Sequence, residues 1–199
     1  MFAGIRRALA AFRSDRRGVA AIEFAFIAPI LMAMYFLSME ITQAIEANKK
    51  VSRIGSMVAD LVAQQKGSVS ATDLNKMMQI AQTTLAPYNR SAPTVTITGI
   101  QVTTDPTPKV LVSWSRKMVN GAFSAGAAVN SPATVPAALR IAGTFIIRVD
   151  SQLAYKPVIT WAAGDKGSLG LTAAFDNIDM SETYFLRPRI SSQLPCTGC

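Results

Sequence analysis

The sequence predicts an α+β protein in which one long N-terminal helix crosses a membrane, continues outward as a stalk and packs on a small antiparallel sheet of about four strands. Three observations carry this: an apolar run near the N-terminus, a helical periodicity that outlasts it, and a change to period-two alternation after residue 93. The expected organisation is a basic leader (1–18), a transmembrane helix (19–39), a stalk helix (40–66) and an α+β head (67–199) that carries a CxxC.

The run from Val19 to Met39, VAAIEFAFIAPILMAMYFLSM, is apolar but for one acid. Its 21 residues rise about 31 Å as a helix, enough for a hydrocarbon core of about 30 Å. Five arginines (Arg6, Arg7, Arg13, Arg16 and Arg17) oppose only Asp15 before it, half of the formal excess of +8. The far flank begins with Glu40 and has no base until Lys49, so the charge asymmetry places the N-terminus in the cytoplasm and residues 40–199 outside. A cleaved secretory signal would have a shorter apolar run and an A-x-A-like site, where this chain has FLSMEITQA. A lipoprotein signal would need a cysteine just after the run, and none is there.

Glu23 lies about one turn into the run, where a carboxylate costs around 2.5 kcal/mol or more unless it is paired or reaches the interface. Pro29 removes one backbone hydrogen bond and is read as a kink that neighbouring helices accommodate. Beyond the membrane, Ala44, Ala47, Val51, Ile54, Val58 and Leu61 step by three and four, a narrow stripe expected to pack on the chain's own head in preference to a partner helix, though one helix can do both with different faces. Lys49, Lys50 and Arg53 form a basic collar, solvated or in contact with lipid headgroups.

Gly67, Ser68 and Ser70 break the helix, and Thr72-Asp73 opens a second one with Leu74, Met77, Met78, Ala81 and Leu85 on one face, ending before Pro87. The methionines are read as core filler. Val95, Ile97, Ile100 and Val102, interrupted by Gly99, predict a strand, and Val110–Ser115 a second, joined to it as a hairpin across Asp105-Pro106-Thr107-Pro108. The apolar loop from Asn120 to Pro136 is expected to lie on the head or on a neighbour. Thr144–Tyr155 predicts a third strand and Glu182–Ile190 a fourth, with Gly164, Gly167 and Gly170 between them.

Cys196 and Cys199 fall on the outward side, where disulfides are permitted. A local disulfide that shapes the tail, bonds to partners, and free or metal-bound thiols all remain open, the first being favoured. A redox pair would need a helix N-terminus or cationic pocket beside it, and a zinc site two further ligands.

The chain has no histidine, which removes the commonest general base and metal ligand. No GxSxG, SxxK or phosphate-binding glycine loop is present, so no catalytic residue, no metal and no cofactor are expected. Asp165, Asp176 or Asp179 gathered in a pocket would revive an enzymatic reading. The remaining bases are mixed with acids, without a stripe and interleaved aromatics, which argues against nucleic acid.

Arg16-Arg17-Gly18, Ala20-Ala21, Glu23-Phe24, Ala28-Pro29 and Glu40 together resemble the N-terminus of the TadE-like family (TadE and TadF), minor pseudopilins of the tight-adherence, or Flp, pilus system, over residues 14–62. The resemblance implies that a prepilin peptidase cuts between Gly18 and Val19, and that Arg16, Arg17, Glu23 and Phe24 serve recognition and assembly. It also gives Glu23 a physical role. The new α-amine of Val19 is a cation with which a neighbouring subunit's Glu23 would pair in the apolar bundle. The implied partners are the peptidase, other pilins and pseudopilins with the assembly machinery, and inner-membrane lipid. The implied place is the bacterial inner membrane, then a pilus. The rival expectation is an uncleaved, signal-anchored periplasmic protein whose head binds a ligand or scaffolds the envelope.

Overall fold

A computed structural model describes residues 18–88, 91–157 and 178–199. The expected glycine-rich region around Gly164, Gly167 and Gly170 lies outside the described residues, as do Arg16 and Arg17. The chain divides into two compact units, Met1–Thr42 and Gln43–Cys199. Helix α1 (Val19–Ala63) runs through the boundary and contains Pro29 without being ended by it.

In the second unit, the predicted stripe is the packing face. Ala47, Val51, Ile54 and Val58 are buried, with Ala44 packed at the margin. In the last turn Val62 and Ala63 take the inward positions and Leu61 is only half-buried. A 3.6-residue helix drifts from a 3.5-residue stripe over this length, which brings the next position round to the core. The helix stops at Ala63, where the Arg189 amide donates to the Ala63 carbonyl at 2.9 Å and the Arg189 side chain pairs with Asp60.

A two-residue strand, β1 (Val69–Ser70), leads into helix α2 (Ala71–Leu85). Ser70 is the N-cap, so the helix opens at Ala71, one residue before the expected Thr72. The Ser70 hydroxyl accepts from the Asp73 amide at 3.2 Å, and the Asp73 carboxylate accepts from the Ser70 amide at 3.3 Å, a reciprocal capping box. Leu74, Met78, Ala81 and Leu85 are buried and Met77 packs beside them, so the methionines do fill core. The Ser70 hydroxyl and amide hold the Asp73 carboxyl below its ordinary value of 3.8. A carboxyl lowered on folding stabilises above its unfolded value, and that stabilisation is lost as pH falls through the folded value. Ser70→Ala removes the cap, so it is expected to lower the unfolding midpoint at neutral pH and to flatten the acid limb of a pH–stability curve measured by denaturant unfolding.

The sheet has five antiparallel strands in the order β4-β3-β2-β5-β6. These are β2 (Thr94–Val102), β3 (Val110–Val119), β4 (Ala122–Ala125), β5 (Phe145–Tyr155) and β6 (Ile178–Leu186). The additional strand, β4, comes out of the segment read as loop. Asn120 and Gly121 both have positive φ, 51° and 81°, and make the two-residue turn between β3 and β4. The fourth expected strand is displaced toward the N-terminus: Ile178 and Met180 pair with Tyr155 and Leu153, and pairing ends at Leu186, before Pro188. Proline has no amide to donate to a ladder.

Alternation sorts β5 cleanly. Phe145, Ile147, Val149, Leu153 and Tyr155 join the large core under the helices, and Ile146 joins a second cluster with Ile100, Val102 and Val135. Val135 belongs to the apolar loop, which thus lies on the head as expected, with a short 3₁₀ turn at Ala137–Leu139. Two close approaches fix α1 to the sheet: Ser151 Oγ donates to the Val51 carbonyl at 3.0 Å, and a Cβ on Gly55 would fall 2.7 Å from the Tyr184 ring.

After β6 the chain returns to the core. Leu194 is fully buried, and its carbonyl accepts from Trp114 Nε1 at 2.6 Å. Strand β7 (Cys196–Thr197) pairs in parallel with β1.

Candidate assembly site on the N-terminal helix

In the first unit, Gly18 is the turn residue before α1, and its carbonyl accepts from the Ile22 amide at 3.1 Å, closing the first helical bond. A Cβ on Gly18 would meet nothing within 4 Å. The peptide joining Gly18 to Val19 is thus flanked by an uncrowded residue on one side and by the first helical residue on the other. Both are exposed.

Glu23 follows Val19 by four residues in the helix, which places the two on one face about 6 Å apart along the axis. It is exposed and, among the described residues, has no hydrogen-bond or ion-pair partner within the chain. Phe24 beside it is 68% exposed. The surroundings of Glu23 are apolar on every side: Ile22, Phe26, Ile27, Ile30, Leu31, Met34 and Tyr35 are all exposed. A helix apolar all round needs hydrocarbon or other apolar helices about it. Burying the Glu23 carboxylate there without a cation is costly.

The one described helix that is long and apolar enough to cross a membrane is α1, and its apolar stretch is wholly exposed. The character of the helix changes within it. Up to Leu37 large apolar side chains project in all directions, whereas from Ala47 onward the buried positions fall on one stripe.

Near that change the structure holds a cluster that sequence reading missed. The Tyr88 hydroxyl donates to the Glu46 carboxylate, which keeps the phenol protonated above its ordinary value. Lys50 donates to the Ala86 carbonyl and lies 5.1 Å from the Tyr88 ring centre, so of the expected basic collar Lys49 and Arg53 stay exposed and Lys50 is engaged. Pro87-Tyr88 after a helix of 15 residues gave no periodic signal, and only contact in three dimensions brings Tyr88 to α1.

Cys196 and Cys199 are paired as a local bridge with Cα atoms 5.8 Å apart, and both pack against the large core. Of the acids named for an enzymatic reading, Asp165 and Asp176 lie outside the described residues. Asp179 lines an open depression of about 680 Å³ with Thr94, Asn120 and Gln152.

A potential membrane-spanning helix that continues into the core of an antiparallel α+β head defines a protein consistent with a pilin-like fold. The family model described as TadE-like protein matches residues 18–59. This segment, about a fifth of the chain, is TadE-like, and the match supports involvement in the Tad pilus system and interaction with its components. It begins at Gly18, includes Glu23 and Phe24, and ends within α1, before the sheet. No curated protein and no solved structure gives a match.

Proposed function

We propose that this chain is a minor pseudopilin, cut by a prepilin peptidase between Gly18 and Val19 and then used in assembling a tight-adherence pilus for surface attachment. The observation that carries the reading is the position of Glu23: an acid with no partner among the described residues, one turn inside the exposed apolar stretch of a helix whose first residue would gain a cationic α-amine on cutting. The amine of one subunit and Glu23 of the next neutralise each other in the bundle, and because each is fixed in the helix the pair sets the axial register between subunits. Before cutting, the arginines hold the N-terminus on the cytoplasmic side of the inner membrane and the head lies in the periplasm. Arg16 and Arg17 present the leader to the peptidase. In this reaction the chain is substrate and not catalyst; it contains no histidine to act as a general base.

The test is complementation of a strain lacking the chain with Glu23→Ala and Glu23→Gln. Both variants are expected to enter the membrane with a folded head and to give no pili and no surface attachment. Normal piliation with Glu23→Ala would contradict the role given to the acid. A head that still performs its function without assembly would support an uncleaved, anchored binding protein.

A further inference from the structure

The turn between β3 and β4 brings a nucleophile and an electrophile together in water. Asn120 is exposed, has positive φ and lines the open depression shared with Thr94, Gln152 and Asp179. Gly121 follows it with no side chain to shield its nitrogen. Among the described residues the Gly121 amide donates no hydrogen bond, and the Asn120 side chain makes none. The nitrogen next to the Asn120 carboxamide is thus free to attack it.

The other described asparagines lack this arrangement. Asn48 and Asn75 lie inside helices, where the following amide donates to the carbonyl four residues back, and Asn75 Oδ1 also accepts from Arg116 Nε at 3.0 Å. Asn130 is the closer comparison, being exposed and having a positive φ of 63°. There the Ser131 amide donates to the Ala128 carbonyl at 3.2 Å, and the Asn130 amide donates to the Val112 carbonyl at 2.8 Å. Exposure alone does not separate positions 120 and 130; the engagement of the next amide does.

We infer that Asn120-Gly121 is a site of spontaneous deamidation, with water as the co-reactant. The Gly121 nitrogen attacks the Asn120 side-chain carbonyl carbon. A bond forms between them, the bond from that carbon to the side-chain nitrogen breaks, and the amide proton leaves with that nitrogen as ammonia. Water then opens the resulting succinimide at either carbonyl, giving aspartate or isoaspartate, and nothing is oxidised or reduced. Ring closure needs the turn to relax, and β4 permits it: the strand is four residues long, lies at the sheet edge and pairs with β3 alone. Isoaspartate lengthens the backbone by one carbon. The Val119–Ala122 pairing depends on a tight turn, so this product uncouples β4 and loosens Phe123, which packs at the margin of the large core. The aspartate product leaves the backbone as it was. The inference is independent of cutting after Gly18 and of any part in a pilus.

Peptide mapping of the full chain in detergent, before and after ageing in mildly alkaline buffer, tests it. Trypsin releases Met118–Arg140, which contains both Asn120 and Asn130. On ageing this fragment is expected to gain the mass difference between a carboxamide and a carboxylic acid and to split into isomers of equal mass. Fragment spectra should place the gain at Asn120 about tenfold more often than at Asn130, the factor that one hydrogen bond on the attacking amide is worth. Equal conversion at the two positions would overturn the site, as would no conversion at Asn120 under conditions where a synthetic peptide of residues 118–125 converts. Hydrogen exchange reads the consequence: the amides of Ala122–Ala125 should lose protection in the isoaspartate fraction and keep it in Asn120→Asp. Unchanged protection in the isoaspartate fraction would overturn the release of β4.

Discussion

Gly99→Val is expected to destabilise the head by about 3–5 kcal/mol, combining overpacking with loss of a buried hydrogen bond. Gly99 sits opposite Trp114, at the point where the β2–β3 register shifts between Gly99 and Ile100 and leaves Ser113 as the extra residue. A Cβ there would fall inside 3.0 Å of the Trp114 indole and 2.8 Å from Phe145 Cζ. The indole cannot simply step aside, because it is 97% buried and its Nε1 is committed to the Leu194 carbonyl. Moving it releases the segment that carries Leu194 and, through Val69 and Pro195, the β1–β7 pair ahead of the α2 cap. Against a typical total of 5–15 kcal/mol, this is a large fraction of the head's stability. Denaturant unfolding of the full chain in detergent, followed by circular dichroism, measures it, and a midpoint unchanged from the unaltered chain would show that the Trp114 contact carries little. Trp114→Leu in the same chain should relieve part of the clash, so the two substitutions are expected to be non-additive.

Gly18→Leu has the opposite profile: no cost in folding and complete loss of processing. A Cβ at Gly18 meets nothing within 4 Å among the described residues, so the larger side chain starts in open space. A surface change away from packing features is worth within about 0.5 kcal/mol. A peptidase that recognises a glycine before the cut must bring that residue into its own site, where a branched side chain is excluded. Immunoblots of membranes from cells with and without the peptidase should show the variant at precursor size in both, and the unaltered chain shortened only where the peptidase is present. Shortening of the variant would remove Gly18 from the recognition element.

The elements with strong periodicity were legible in the sequence. The apolar run, the Ala47-Val51-Ile54-Val58 stripe, the buried face of α2 and the alternation of β5 each repeat one rule over three turns or five residue pairs, and packing followed that rule. Features fixed by a single residue or by distant contacts were not. Asn120-Gly121 is a strong hairpin signal, but the alanines and glycines after it hid a strand of four residues with little apolar alternation. The true start of β6 was lost because Asp179 and Ser181 are the outward residues of a strand whose inward ones, Ile178 and Met180, adjoin the glycine-rich region. The β1–β7 pair joins residues more than 120 positions apart, and no local pattern announces such pairing. For the candidate site the residues themselves were legible, since a lone acid in an apolar run is conspicuous. Its freedom from partners among the described residues and the open space at Gly18 required coordinates.

Under the proposed function, Gly18-Val19 is a cutting point that turns a membrane helix into an assembly element. Intact mass spectrometry of the full chain extracted from the membranes of a peptidase-competent host tests it most directly. A mass corresponding to a chain that starts at Val19, eighteen residues shorter than the 199-residue sequence, is the expected result. A mass that still includes Met1 to Gly18 in that host would contradict it.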